Sequence, residues 1–304
     1  MQEFGGRIAV ITGGATGIGR SLARQLAAQG CHIAMCDIAE DALSASRAYC
    51  EATAAEGVRI TSFVADVCER AAVDAFLADT LERHHTDHVH LLFNNAGIGG
   101  GGSFLKSPVA HWERTFNVCW QGVYGMCRAF MPSLLAAEAG HVINISSVNG
   151  FWASLGSGTP HNAYCSAKFA VKGFTESLRE DFAANAPHLS ASVVMPGHIG
   201  TMISINTWQE FGDDPAALGM SQAELDGFKS RAETFRQTGM DPEDAAAVIL
   251  KGVQAGDWRI LIGDDAVALD QAVRDDPLDA YQPDFWRRRV HPRILAMKSG
   301  RTVK

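Results

Sequence analysis

Apolar runs of strand length alternate along the chain with longer stretches whose apolar positions recur at helical spacing. The first run, 7–12, predicts a strand, followed by a helix over 17–29 and a second strand over 31–36. The same rhythm predicts helix 39–55, strand 59–64, helix 71–84 and strand 89–93. It continues with a long helix over 112–137, strand 141–145, helix 161–185, strand 190–194, helix 242–254 and strand 259–262. Strands that alternate with helices imply a parallel sheet with helices on both faces. The strands are apolar nearly throughout, as expected when both faces are covered. The expected fold class is α/β, a doubly wound parallel sheet of about seven strands.

Two regions interrupt the rhythm. The stretch 202–239 is mixed and mostly helical in composition, and it falls between the last two strands. It reads as a lid. The stretch 264–304 follows the last strand and is broken by Pro277, Pro283 and Pro292. It reads as a C-terminal extension to one domain spanning 1–263.

Composition changes this picture little but narrows the partners. The 304 residues are 47% hydrophobic and 20% charged, which is ordinary for a globular chain. The formal net charge of −8 argues against a nucleic-acid partner, which needs a basic face. No stretch of about 18 apolar residues predicts a membrane span. The opening residues show no basic segment followed by an apolar one, so no secretion signal is expected. The seven cysteines are scattered, with no C-x-x-C pair, so neither a zinc site nor a dithiol motif is signalled. Reduced thiols in a cytoplasmic protein are the simple expectation.

The first strand runs into Thr12-Gly13-Gly14-Ala15-Thr16-Gly17-Ile18-Gly19. Glycines let the backbone turn sharply and approach a pyrophosphate, and the next helix offers it free N–H groups. Such a loop also serves as a plain tight turn. Here it follows a strand and opens a helix at the start of the fold, the context of a dinucleotide site. The second strand is followed by Asp37, whose carboxylate can accept from adenosine ribose hydroxyls and would repel a 2′-phosphate. Thr16 is not basic and no Arg or Lys adjoins Asp37, so the expected cofactor is NAD.

Tyr164-Cys165-Ser166-Ala167-Lys168 places a phenol and an ammonium one helical turn apart on one face. An unperturbed tyrosine, with a pKa of about 10, is a poor acid or base near neutrality. An ammonium at about 4 Å, in an effective dielectric near 20, contributes roughly 4 kcal/mol, or about three pKa units. The spacing alone also occurs by chance on many helices.

Further motifs accompany it. Asn94-Asn95-Ala96-Gly97 follows the fourth strand, Asn144-Ile145-Ser146-Ser147 ends the fifth, and Pro196-Gly197…Thr201 follows the sixth. With the glycine loop and the Tyr-x-x-x-Lys helix, the chain resembles the short-chain dehydrogenase/reductase family over roughly residues 5–263. The resemblance implies a Rossmann-like fold and hydride transfer between a secondary alcohol, or its ketone, and a nicotinamide ring. It implies Tyr164 as general acid/base, Lys168 lowering its pKa and holding the nicotinamide ribose, and Ser147 bonding the substrate oxygen. Asn117 matches the position that supports a proton-relay water. For the cofactor it implies Gly13, Thr16, Gly17, Ile18 and Gly19 at the phosphates, and Asp66 and Val67 at adenine. Asn94, Ala96 and Gly97 line the ribose region. Pro196, Gly197, Ile199 and Thr201 line the nicotinamide end, with Thr201 on the carboxamide. The spacing from Ser147 to Tyr164 departs from the family's usual one by about four extra residues, within Ser154-Leu155-Gly156-Ser157-Gly158-Thr159-Pro160-His161. A Gly/Ser/Pro-containing insertion can bulge outward without moving either anchor. Ser146 is expected to support the turn.

Substrate signals are sparser. Asn149, Phe151 and Trp152 follow Ser147, while His198, Met202, Trp208 and Phe211 lie near the start of the lid. With the Gly99–Gly102 loop they suggest a roomy pocket with aromatic walls for an aryl or cyclic alcohol, although Trp208 and Phe211 suit a helix anchor equally well. His161 and His198 are expected in supporting roles. His84, His85, His88 and His90 invite a metal reading, but the segment reads as a solvated connection and no metal is expected. Arg287-Arg288-Arg289 with Arg293 reads as a solvated face or a subunit contact. Family resemblance also implies a homodimer or homotetramer. Two other functions fit parts of the pattern: an NADPH-dependent carbonyl reductase, which Asp37 opposes, and a non-catalytic NAD-sensing protein, which would not need Ser147, Tyr164 and Lys168.

Overall fold

Strand residues point alternately to opposite faces, and here both directions are apolar. In the first strand, β1 (Ile8–Thr12), Ala9 and Ile11 face one helical layer while Ile8 and Val10 face the other. The computed structural model describes residues 3–156, 159–212 and 221–299. The remaining strands are β2 (His32–Asp37), β3 (Ile60–Val64), β4 (Leu91–Asn94), β5 (Gly140–Ile145), β6 (Leu189–Pro196) and β7 (Arg259–Ile262). All pair in parallel, in the order β3-β2-β1-β4-β5-β6-β7. The strand order reverses between β1 and β4. In such sheets that point opens a crevice at the carboxyl ends of the strands, where ligands bind.

The helices in chain order are α1 (Gly17–Ala28), α2 (Glu40–Glu51), α3 (Arg70–His84), α4 (Val109–Phe116), α5 (Gly122–Leu135) and α6 (Asn162–Asn185). They continue with α7 (Ile203–Phe211), α8 (Gln222–Thr238), α9 (Pro242–Ala255), α10 (Asp264–Asp275) and α11 (His291–Lys298). Leu22 and Leu26 of α1, Leu43 of α2 and Ile249 and Val253 of α9 cover one face of the sheet. Val73 and Phe76 of α3, Val123 and Phe130 of α5 and Val171 of α6 cover the other.

The long helix expected over 112–137 is not continuous α-helix. A π turn, Asn117–Gln121, separates α4 from α5. A π turn adds residues without lengthening the α pattern, so it rotates which side chains face inward. The interruption at 202–239 forms α7 and α8, and residues 213–220 of it lie outside the described residues. Ser157 and Gly158 of the 154–161 insertion lie outside them as well.

Residues after β7 fold back onto the chain. Trp152 is buried against Leu269, Ala272, Ala280, Phe285 and Val290, and its indole Nε1 donates to Ala280 O at 2.7 Å. The basic run is paired within this same segment, Arg289 with Asp279 at 2.9 Å and Arg293 with Asp275 at 2.6 Å. The histidines of 84–90 take separate partners. His84 Nε2 meets Thr61 Oγ1, His88 Nδ1 meets Asp87, and His90 Nδ1 accepts from Ile8 N. His85 adopts a left-handed conformation that ends α3.

Candidate active site

The carboxyl ends of the central strands open into a cleft of about 1540 Å³. The glycine loop forms one end. Gly13 has φ +67°, and a Cβ there would sit 2.9 Å from Ala96 Cα. A Cβ on Gly19 would sit 2.1 Å from Gly13 O. Side chains at either position would push the loop apart. Thr16, the N-cap of α1, makes no side-chain cap bond, and the first turn carries no acidic residue. The free N–H groups and positive end of α1 therefore suit an anion. Gly17 and Ile18 line the cleft there, while Gly19 supports the turn from beneath.

Asp37 is held at the end of β2, its Oδ2 accepting from Ala15 N and its Oδ1 from Ala39 N, both at 3.1 Å. Ile38 beside it is half exposed, and no cation adjoins the carboxylate in sequence. Asp66 and Val67 line the adjacent wall. Pro196, Gly197, Ile199 and Thr201 line the opposite side, where Thr201 Cγ2 would lie 3.3 Å from a Cβ on Gly17. Ala96 and Gly97 also reach the cleft. This cradle fits a dinucleotide: close backbone approach at the glycines, a free helix end, and an acceptor where a ribose would lie.

Asn94 does not reach it. Its side chain is buried in the layer behind the sheet, donating to Asn144 Oδ1 at 2.8 Å. The strand alternation turns the next residue, Asn95, toward the loop instead, where its Nδ2 donates to Thr12 O at 3.0 Å and Gly13 O at 3.1 Å. An amide between two such carbonyls was not foreseen, although Asn95 stands in the motif.

At the other end Ser147, Tyr164 and Lys168 come together. Tyr164 and Lys168 share a face of α6, with Lys168 Nζ 5.4 Å from the Tyr164 ring centroid. Lys168 Nζ donates to Ile145 O at 2.9 Å, and Ser146 Oγ donates to Lys168 O at 2.8 Å, which is the supporting role expected of Ser146. Ser147 Oγ accepts from Asn149 N at 3.1 Å, and the Ser147 hydroxyl is close enough to the Tyr164 phenol to favour its ionised form. Burial pushes the phenol above its ordinary range, against the lowering effect of the nearby Ser147 hydroxyl. The Lys168 ammonium is shifted downward by the same loss of water. Loss of water is the largest influence on both groups, raising the phenol and lowering the ammonium.

Asn117 is not part of this cluster. It is exposed on the π turn, and the rotation brings Cys119 inward in its place. Cys119 is fully buried against Tyr164 and Ala167, and its thiol donates to Ile98 O at 3.2 Å. A sequence pattern that assumes uninterrupted α-helix cannot anticipate that exchange.

The substrate-side expectations divide. Met202 and Trp208 line the cleft. Asn149, Trp152 and His198 touch it as well, but each has a side-chain nitrogen committed to the fold. Asn149 Nδ2 donates to Trp152 O and Ser154 O, at 3.0 and 2.9 Å. Trp152 anchors the segment after β7. His198 bonds Phe235 O at 2.8 Å and packs on that ring. Two more residues stand in the wall: His161, expected in a supporting role, and Trp286, which the sequence did not single out. His161 lies with its ring 4.7 Å from that of Tyr164, and burial holds its pKa down at about 4, so it is neutral. Trp286 reaches the wall from beyond β7. His161 is the N-cap of α6, three residues before Tyr164, whereas Trp286 carries no local signal because tertiary packing brings it in.

The same frame recurs in known proteins. The family model described as short chain dehydrogenase matches residues 7–211. A Mycobacterium tuberculosis protein named as an oxidoreductase, SadH, is 36% identical over 274 residues, covering 90% of this chain and 92% of its own. A short-chain dehydrogenase/reductase from Burkholderia phymatum, solved in complex with NAD, aligns with a TM-score of 0.79 at 28% identity, over 93% of this chain and 98% of its own. A metagenomic short-chain oxidoreductase in complex with NADP aligns with a TM-score of 0.63 at 25% identity, over 85% and 97% of the two chains. With its parallel sheet, glycine cradle and Ser147, Tyr164 and Lys168 in one cleft, the chain belongs to the short-chain dehydrogenase/reductase family of oxidoreductases.

Proposed function

We propose that this chain is an NAD-dependent oxidoreductase that interconverts a secondary alcohol and a ketone. The reading is carried by one observation: Ser147, Tyr164 and Lys168 meet at one end of a cleft whose other end holds the glycine cradle and Asp37. The nicotinamide ring, when bound, supplies the hydride acceptor for oxidation and the hydride donor for reduction. Tyr164, as phenolate, takes the alcohol proton while the hydride leaves the carbinol carbon. Ser147 donates to the substrate oxygen and steadies its developing charge. Lys168 holds the nicotinamide ribose and favours the ionised phenol. Thr201 would bond the carboxamide, Asp66 and Val67 would hold adenine, and Asp37 would accept from the ribose hydroxyls.

Trp208, Phe211, Phe228 and Trp286 line the cleft, which supports an aryl or cyclic substrate. Residues 1–263 form the catalytic domain in this reading, residues 202–239 its lid, and the protein works in the cytoplasm as a homodimer or homotetramer. Among the described residues no helix is long and apolar enough to cross a membrane. An NADPH-dependent reductase is the second reading, favoured by the neighbour that holds NADP.

A panel of aryl, cyclic and open-chain secondary alcohols, assayed with NAD+ and NADP+, tests the proposal. Tyr164→Phe is expected to lower turnover by about 10²–10⁴-fold, the range of acid–base catalysis by a positioned side chain. A Tyr164→Phe enzyme with wild-type turnover, or a preference for NADP+, refutes the corresponding part.

A further inference from the structure

Helix α7 covers the cleft between its two ends and is seated on α4 and the Gly99–Gly102 loop. Thr207 Oγ1 accepts from Gly99 N at 2.7 Å. Phe211 stacks on His111 of α4, with ring centroids 4.2 Å apart. It also occupies the space beside Gly100, where a Cβ would come within 2.3 Å of its ring. Two of the glycines that suggested a roomy pocket, Gly99 and Gly100, thus make room for the covering helix. A further contact reaches past this seat. Arg114 of α4 places its Nε 2.7 Å from Glu210 Oε1 of α7 and its Nη1 2.7 Å from Asp66 Oδ2 after β3. All three side chains are about three-quarters buried and all line the cleft.

One guanidinium therefore satisfies two carboxylates from parts of the chain that are otherwise separate. Asp66 is oriented from its other side as well, since its Oδ1 accepts from Cys68 N at 2.9 Å. Removing the cation leaves two partly buried carboxylates without their shared partner and takes away the ion pairs that tie α7 to the Asp66 corner. We propose that Arg114 is a positioning residue that couples the ends of the cleft, so that cofactor binding at the Asp66 corner stabilises α7 in its closed seat. The proposal rests on the dinucleotide reading of that corner. A coupling of this kind is reciprocal: closure of α7 tightens the cofactor by the same factor.

The experiment is hydrogen–deuterium exchange over 203–211 in the full-length protein, with and without NAD+, paired with calorimetric titration of NAD+. The variants are R114M, R114K and E210Q, each checked for wild-type melting. In the wild type, NAD+ slows exchange across α7. R114M speeds that exchange by about fivefold, weakens NAD+ by a similar factor and removes the protection NAD+ gives, as expected for loss of a partly buried ion-pair contribution. E210Q frees α7 in the same way while Asp66 keeps its partner, and R114K restores part of the protection. Unchanged α7 exchange in R114M, or full NAD+-dependent protection in E210Q, overturns the coupling while leaving the cofactor assignment intact. Failure of the wild type to bind either NAD+ or NADP+ refutes the dinucleotide reading itself, and the coupling falls with it.

Discussion

The two ends of the cleft are built on different principles. At the dinucleotide end the binding surface is backbone: glycines at Gly13, Gly17 and Gly19, the first turn of α1, and one carboxylate held by two main-chain amides. At the substrate end the surface is side chain, drawn from residues 148–156 and 159–161, from α7 and α8, and from the residues beyond β7. A backbone cradle leaves its mark in consecutive residues, because glycine is required where a Cβ would collide. A side-chain wall leaves no such mark. Trp152 illustrates the difference: it follows Ser147 closely and reads as a substrate contact, yet its ring is a core residue for the C-terminal segment.

Substitutions separate the two modes of construction. The largest effect is expected from Trp152→Ala. It empties a buried site and orphans Ala280 O, so urea unfolding should show a loss of about 3–5 kcal/mol. A loss confined to substrate KM, with stability unchanged, would return Trp152 to the pocket wall. Next comes Gly19→Ala. Its Cβ cannot fit beside Gly13 O, and overpacking of this kind costs about 1–3 kcal/mol, read as weaker NAD+ binding in a calorimetric titration. If Trp208→Ala weakened NAD+ equally, the contrast between the ends would break down.

Acid titration probes the fold behind both ends. Burial holds His84, His90 and His161 down at about 4 and His141 at about 3. The unfolded chain, with histidines near 6.5, binds more protons between about pH 4 and 6.5, so stability is full above that window and falls as pH drops through it. Each histidine contributes up to about 1.4 kcal/mol per pH unit there. Melting temperatures measured from pH 7 to 4 should decline, and His141→Asn should flatten part of the slope. The smallest effect is expected at Asn117. Exposed on the π turn, it should tolerate Asn117→Ala with stability within about 0.5 kcal/mol. Its turnover should also stay close to wild type, whereas Cys119→Ala loses the bond to Ile98 O and loosens the packing beside Tyr164. A collapse of turnover in Asn117→Ala would restore the relay role that the family resemblance implies.

The strand and helix rhythm was legible because each element carries its own period, and all seven strands appear near their expected positions. The elements that misled were those whose period is interrupted or whose partners are distant. The expected helix over 112–137 hides a π turn, which moved the inward position from Asn117 to Cys119. Asn94 and Asn95 are neighbours in one motif, but strand alternation sends only Asn95 to the glycine loop. The Gly99–Gly102 loop read as space for substrate, and Phe211 of α7 fills part of it.

By itself the sequence determined the α/β class, the glycine cradle, Asp37 and the pairing of Tyr164 with Lys168, because each depends on residues near one another along the chain. Only the tertiary structure decided which side chains wall the substrate end, why Trp152 and His198 are tied to the fold, and that Arg114 joins Asp66 to Glu210. Those contacts join segments far apart in sequence, and no local period or spacing encodes a meeting that only packing brings about.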